Sequence, residues 1–297
     1  MDAERQYDDL NDRVLFLYRG GRQREALELL DSASPSLDPW SAELAHLRAC
    51  MHGSMGEVDL ALQVLVQASM AGAWWHEDIL TEDDDLAGLQ QLPDFRQIVE
   101  VSRGRRVNDR SSWLVKVPAD GVPPSAVVVA LHGAGQTAAR AARDWAAVLE
   151  LGYALVCVES SQLIAPRSRT WPDRAQAATD IAAALADLPA ELLELPLVAG
   201  GFSDGGRAAL DWALSAQPLP VEGSVVLAPA LRELPVTGYG PLSPATVLIG
   251  VDDHLLKTVE EAADRLSELG LSVRRIPGLG HRFPDNFADH LRQIFGA

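Results

Sequence analysis

The stretch Leu197-Val198-Ala199-Gly200-Gly201-Phe202-Ser203-Asp204-Gly205-Gly206-Arg207-Ala208-Ala209-Leu210 decides the fold. It reads as a short apolar strand, a glycine-flanked serine and an alanine-rich helix. Gly201-x-Ser203-x-Gly205 is the spacing of a strand-to-helix turn that presents a nucleophilic serine. Such a turn holds the serine in a sparsely populated backbone region, at a cost of about 1–3 kcal/mol. The residues two before and two after it crowd together, so both are expected to be glycine. In return the hydroxyl stands clear of the sheet near a helix N-terminus, whose partial positive charge favours a developing oxyanion.

Working outward, the chain after the polar segment Ser102–Asp109 alternates apolar runs with helical patterns. Strands are expected at Val127–Leu131, Tyr153–Val158, Leu197–Ala199, Ser224–Leu227, Thr246–Ile249 and Ser272–Ile276. Helices are expected at 138–149, 173–187, from the serine to about 216, at 255–269 and at 285–295. Continuous apolar strands separated by helices predict a doubly wound, mainly parallel sheet, an α/β fold over residues 106–297. Sites in such sheets lie at the carboxyl ends of strands.

Three further signals fall at those ends. Leu131-His132-Gly133-Ala134-Gly135 follows the first central strand, and its small residues let backbone N–H groups face a site. Its His132 precedes the serine in a tight turn and reads as a residue that holds the loop. Ile249-Gly250-Val251-Asp252-Asp253-His254 offers a carboxylate to orient an imidazole, with one of the two aspartates free to cap the next helix. Pro277-Gly278-Leu279-Gly280-His281-Arg282 is a glycine-containing loop between the last strand and last helix. Of seven histidines, only His281 and His290 lie beyond the Asp252-Asp253-His254 stretch, and His290 is expected to be exposed within the final helix. The chain order Ser203, Asp253, His281 is that of a serine–carboxylate–histidine set on this kind of sheet.

Residues 1–105 read differently: they are helical throughout, and Gly21–Leu30 echoes Gly56–Leu65 at an offset of 35. That offset resembles the tetratricopeptide repeat, whose period is about 34. Two and a half such units bury little core of their own, so this region is expected to dock on the rest of the chain, with Trp74 and Trp75 as anchors. Recruitment of a protein partner, or a homo-oligomer, is the alternative. Glu82-Asp83-Asp84-Asp85 lacks the alternating ligand spacing of a calcium loop and reads as a solvated loop or helix start.

Composition narrows the function classes. The chain has 297 residues, 47% of them apolar, enough for a substantial core and against disorder. Its 42 acidic residues against 25 basic ones argue against nucleic acid or an anionic membrane as partner. No apolar run approaches the roughly 20 residues that span a bilayer, and Met1-Asp2-Ala3-Glu4 is unlike a signal peptide. Cys50 and Cys157 have no partner spacing and read as buried free thiols, so a cytoplasmic location is expected.

His132-Gly133, Gly201-Phe202-Ser203-Asp204-Gly205-Gly206, Gly250-x-x-Asp253 and Gly280-His281 together resemble the α/β-hydrolases. Within them they resemble the carboxylesterase, phospholipase and acyl-protein thioesterase group, with the dienelactone hydrolases nearby. That group commonly has glutamine where Asp204 stands, which here puts a negative charge near the site. The resemblance covers about Ser111–Ala297. It implies Ser203 as nucleophile, His281 as general base and then acid, and Asp253 as orienting carboxylate, with Asp252 as fallback. It implies the N–H groups of Ala134 and Asp204 as an oxyanion hole, and no metal or organic cofactor. The expected reaction is hydrolysis of a small-molecule carboxylic ester or thioester through an acyl-enzyme. Dienelactone-type or peptidase activity on the same residues, or a non-catalytic scaffold whose helices bind a protein, are the alternatives.

Overall fold

The computed structural model describes residues 2–107, 109–119 and 121–296. Asn108, inside the polar boundary segment, lies outside the described residues. The chain divides into two compact units. One comprises Met1–Asn108 together with Leu163–Ser168; the other comprises Asp109–Gln162 and Arg169–Ala297.

The helical unit contains α1 (Ala3–Arg19), α2 (Gln23–Asp31), α3 (Ser41–Ser54), α4 (Val58–Met70), α5 (Glu77–Thr81) and α6 (Pro93–Arg105). The echo in its sequence is an echo in hydrogen bonding. Gly21 N donates to Tyr18 O and Arg22 N to Leu17 O; thirty-five residues on, Gly56 N donates to Gly53 O and Glu57 N to His52 O. Gly21 and Gly56 both have positive φ, 70° and 74°, which a side chain would strain. Ala26 and Ala61 at equivalent positions are fully buried, as are Leu30 and Leu65.

Contrary to expectation, this unit has a core of its own, built from Leu30, Met51, Leu65, Trp75, Leu80, Leu86, Leu89 and Phe95. Trp75 is therefore no anchor for an external surface. It is fully buried in that core, and its Nε1 donates to Ala42 O at 3.0 Å. Trp74 is buried as well. The acidic run makes a helix start, as expected: Asp83 caps the 3-10 turn Asp84–Leu89 by accepting from Asp85 N at 3.0 Å.

Leu163–Ser168 belongs to this unit although the sequence places it far from the rest. Glu43 Oε1 accepts from Arg167 N at 2.7 Å, His76 N donates to Ile164 O at 2.7 Å, and Ala165 joins the apolar core. The Arg167 guanidinium lies 4.9 Å from the Trp40 ring centroid.

The second unit is a seven-stranded sheet flanked by helices. Its strands are β1 (Ser112–Lys116), β2 (Val127–Leu131), β3 (Ala154–Glu159), β4 (Leu197–Phe202), β5 (Gly223–Leu227), β6 (Ala245–Gly250) and β7 (Ser272–Ile276). Their order is β1-β3-β2-β4-β5-β6-β7, with β1 antiparallel to β3 and every other pair parallel. β2, β4 and β5 are buried throughout, which is why each is an unbroken apolar or small-residue run. The sheet's helices are α7 (Ala138–Asp144), α8 (Ala147–Glu150), α9 (Arg174–Ala186), α10 (Ala190–Leu193), α11 (Ser203–Ser215), α12 (Leu256–Glu261), α13 (Ala263–Glu268) and α14 (Phe287–Phe295). The order reverses between β2 and β4, and α11 begins there, at Ser203. An α/β-hydrolase fold preceded by a helical unit is thus what the chain adopts.

Candidate active site

β4 ends at Phe202 and α11 starts on the next residue, leaving no loop between them. Ser203 makes the turn with φ 53°, in the left-handed region that β-carbon-bearing residues avoid. The glycines around it have no room for substitution. A Cβ on Gly201 would meet Gly205 O at 2.3 Å, and one on Gly205 would meet His132 O at 2.2 Å. Ser203 O accepts from Ala230 N at 3.0 Å, which fixes the far side of the turn.

The loops after β6 and β7 converge on this serine. Ser203 Oγ lies 2.9 Å from His281 Nε2. His281 Nδ1 lies 2.9 Å from Asp253 Oδ2 and 3.1 Å from Oδ1. The carboxylate can only accept, so Nδ1 carries the proton and Nε2 presents a lone pair to the serine hydroxyl. Gly250 allows the two loops to meet, since a Cβ there would lie 2.0 Å from Leu279 O. Asp252, the fallback carboxylate, is exposed and its backbone N–H donates to Leu279 O; its neighbour Asp253 is buried.

Burial pushes the Asp253 carboxyl up, but the hydrogen bonds from His281 and from the Leu255 N–H at 2.8 Å outweigh it. The group is held below the usual carboxylate range and is an anion at neutral pH. His254 Nδ1 lies 3.3 Å from Asp253 Oδ1, and its ring meets that of His281 edge-on at 4.5 Å. Asp253, His254 and His281 together offer three donor atoms of the kind metals take. Here Asp253 and His281 are already committed to each other and to Ser203. On its other side His281 rests on Phe202, with ring centroids 4.8 Å apart.

His132 holds its loop, in agreement with the sequence reading. It is 1% exposed; Nδ1 lies 2.8 Å from Gly133 O, and Nε2 accepts from Ser160 N at 3.2 Å. Those partners are satisfied only by the neutral ring, and burial pushes its pKa down to about 4. His290 departs from expectation: it is part-buried, and its Nε2 is buried without a hydrogen-bond partner.

The charge on Asp204 is dealt with by an arrangement the sequence reading missed. Burial raises that carboxyl, but Arg207, Thr170 and Trp171 N outweigh it and keep it ionised. Asp204 Oδ1 accepts from Arg207 Nη2 at 2.8 Å and Nε at 3.0 Å, and Arg207 is only 2% exposed. The pair closes on one residue: Asp204 Oδ2 accepts from Trp171 N at 2.8 Å, and Arg207 Nη2 donates to Trp171 O. Trp171 in turn donates from Nε1 to His132 O at 2.9 Å, and Gly135 N donates to Arg169 O at 2.7 Å. The segment after Arg169 thereby fixes the loop carrying Ala134. The legible signal was Arg207 three residues after Asp204, one helical turn apart. A cleft of about 650 Å³ also reaches Arg207, lined by Arg174, Ile181, Asp211 and Trp212, and touches none of Ser203, Asp253 and His281.

A strand-to-helix serine facing an imidazole, on a sheet of this order, places the chain among the α/β-hydrolases. Residues 122–268 match the family model for serine aminopeptidase, S33, and residues 6–110 match that for the A/B hydrolase-like, N-terminal domain. The helical unit is therefore similar to a known companion of hydrolase-like domains, and its tetratricopeptide likeness extends only to the paired helical hairpins. The sequence matches no curated protein. Among solved structures, an uncharacterized protein from Bacillus cereus ATCC 10987 is 20% identical, with 97% of each chain covered and a TM-score of 0.50. An alpha-beta serine hydrolase homologue from Coxiella burnetii is 19% identical, with 62% of this chain and 89% of that one covered and a TM-score of 0.50. Zea mays acyl-protein thioesterase 2 is 18% identical, with 61% and 96% covered and a TM-score of 0.46. For the Bacillus cereus and Coxiella burnetii proteins, at these identities, the likeness is one of fold. Among the described residues no helix is long and apolar enough to cross a membrane.

Proposed function

We propose that the protein is a serine hydrolase that cleaves a small carboxylic ester or thioester through a Ser203 acyl-enzyme. The observation that carries this reading is the continuous line from Asp253 through His281 to Ser203 Oγ, with contacts of 2.9 Å at both joints. Ser203 Oγ attacks the acyl carbonyl while its proton passes to His281 Nε2. Asp253 stabilises the imidazolium and keeps the Nδ1 tautomer. The tetrahedral oxyanion is met by the N–H groups of Ala134 and Asp204. The intermediate collapses as His281 returns the proton to the departing alcohol or thiol. Water then repeats the sequence on the acyl-enzyme, releasing the acid and free Ser203.

The reaction needs no redox or metal chemistry from these residues. The two free, buried cysteines support a reducing, cytoplasmic setting. The match to the serine aminopeptidase model favours a second reading, amide cleavage by the same three residues. Labelling with a fluorophosphonate followed by peptide mapping tests the chemistry, and we expect the adduct on Ser203. Ser203→Ala should remove the label and lower hydrolysis of a short-chain activated ester at least a thousandfold. A labelled or fully active alanine variant would refute the assignment. Faster turnover of an aminoacyl anilide than of esters would move the reading to a peptidase.

A further inference from the structure

α3 places His46 and Cys50 four residues apart, hence on one face. Asp83, the cap of the 3-10 turn, is brought against that face. Gly53, three residues past Cys50, makes the approach possible: a Cβ there would lie 2.0 Å from Asp85 O. Tyr18 Oη donates to Asp85 Oδ2 at 2.7 Å and holds the acidic segment down. The outcome is a triangle of donor atoms. Cys50 Sγ lies 3.4 Å from Asp83 Oδ2 and 3.8 Å from His46 Nε2, and the latter two atoms are 3.9 Å apart.

Those edges, 3.4–3.9 Å, are those of one face of a metal tetrahedron opened by a few tenths of an ångström. Zinc bonds of about 2.3 Å to sulfur and about 2.0–2.2 Å to nitrogen and oxygen put neighbouring ligands about 3.3–3.6 Å apart. We infer that His46, Cys50 and Asp83 form a binding site for one thiophilic divalent cation of the zinc type. The donor set decides the class of ion. A thiolate and an imidazole select zinc or cobalt over magnesium and calcium, which demand oxygen ligands. The surroundings agree: Asp83 Oδ2 lies 3.4 Å from the sulfur and Asp85 is held beside it by Tyr18. A cation there meets an excess of negative charge.

Binding requires two proton movements. Cys50 releases its thiol proton to solvent as the sulfur–metal bond forms. His46 gives up the contact of Nε2 with Ile79 O, at 3.0 Å, takes the tautomer protonated on Nδ1 and turns its ring, since Sγ lies 3.7 Å from Nδ1 and 3.8 Å from Nε2, to aim the freed Nε2 lone pair at the ion. The bound ion ties α3 to the turn that follows α5.

The test uses the full-length chain, treated with a chelator and a thiol-free reductant and titrated with cobalt(II) without oxygen. The expected result is one equivalent bound, with a thiolate-to-cobalt charge-transfer band and the intense visible bands of tetrahedral cobalt, both bleached by zinc. Cys50→Ser should abolish the charge-transfer band, His46→Gln should weaken binding at least tenfold, and His254→Ala should leave the spectrum unchanged. Circular dichroism of Cys50→Ser establishes that it is folded, and Asp83→Asn, with the thiol retained, gives the same comparison at a less buried position. Absence of a charge-transfer band at stoichiometric cobalt, or its survival in Cys50→Ser, overturns the site.

Discussion

Asp252 and Asp253 are adjacent in sequence, and only one can serve His281. The buried Asp253 accepts from His281 Nδ1, while Asp252 faces solvent. Asp253→Asn should lower kcat by about 10³–10⁴-fold, since the amide cannot stabilise the imidazolium or hold its tautomer. Asp252→Asn should change kcat less than about threefold on the same scale. Steady-state kinetics with one activated ester separates them, and the reverse ranking would transfer the role to Asp252. His132 carries a different prediction, on stability. Its folded pKa is depressed to about 4 while an unfolded histidine titrates near 6.5. Between those values the unfolded chain binds a proton that the folded one refuses, so stability falls as pH drops through that window. Above it the two states match and the residue adds no pH dependence. The full difference is worth about 3 kcal/mol. Urea unfolding at pH 7 and pH 5 should show that decline in the wild type and a flatter one in His132→Asn. Equal slopes would remove His132 from the account.

At the scale of elements, the turn from β4 into α11 tolerates no side chain on its inner glycines. Gly205→Ala should destabilise by about 1–3 kcal/mol or prevent folding, because backbone carbonyls cannot yield as side chains do. Gly206→Ala, whose Cβ would sit 3.2 Å from Gly201 O, should cost far less. Thermal melting of the two variants ranks them, and equal losses would show that the turn is not the tight point. This turn, β2 and β6 were legible because each is an apolar run with a glycine at or just past its end; β7 carries Arg274 and Arg275 and was marked by its place before the glycine-containing loop. β1 was missed because it is a short edge strand, largely exposed, with only Trp113 packed against the core. The expected helix 138–149 breaks at Trp145, whose ring is wholly buried and packs 3.1 Å from the Cβ position of Gly200. Tertiary packing wins there over a pattern favourable to helix. Ser203 and His281 could be found by position and order. The residues alone left Asp252 and Asp253 open; the resemblance preferred Asp253, three residues after Gly250, and Asp253 is the one that is buried. The grip of Asp204 and Arg207 on Trp171 spans more than thirty residues and leaves no local trace.

At the scale of the whole molecule, the chain passes between its two units at 108/109, 162/163 and 168/169. Nothing in the sequence of Leu163–Ser168 marks it as part of the helical unit. Its partners do: Glu43, His76 and the core that takes Ala165 all lie in the first hundred residues. Deleting residues 1–108 therefore strips this hexapeptide of every one of those contacts. We expect the remainder to melt lower than the full chain and to be cut rapidly by trypsin after Arg167, while the full chain resists cleavage there. A truncated protein that melts unchanged and resists trypsin at Arg167 would show that the segment is held by other means.

The same excursion orders events during synthesis. Glu43 leaves the ribosome 124 residues ahead of Arg167, the residue whose N–H it accepts. At about 5–20 residues per second, the nascent helical unit waits roughly 6–25 s for that partner. By then β2 and β3 have already emerged, so the two units are completed in an interleaved order and not one after the other. Throughout the wait, the carboxylate of Glu43 and the socket for Ala165 stand open, a vacancy that exists only on the unfinished chain.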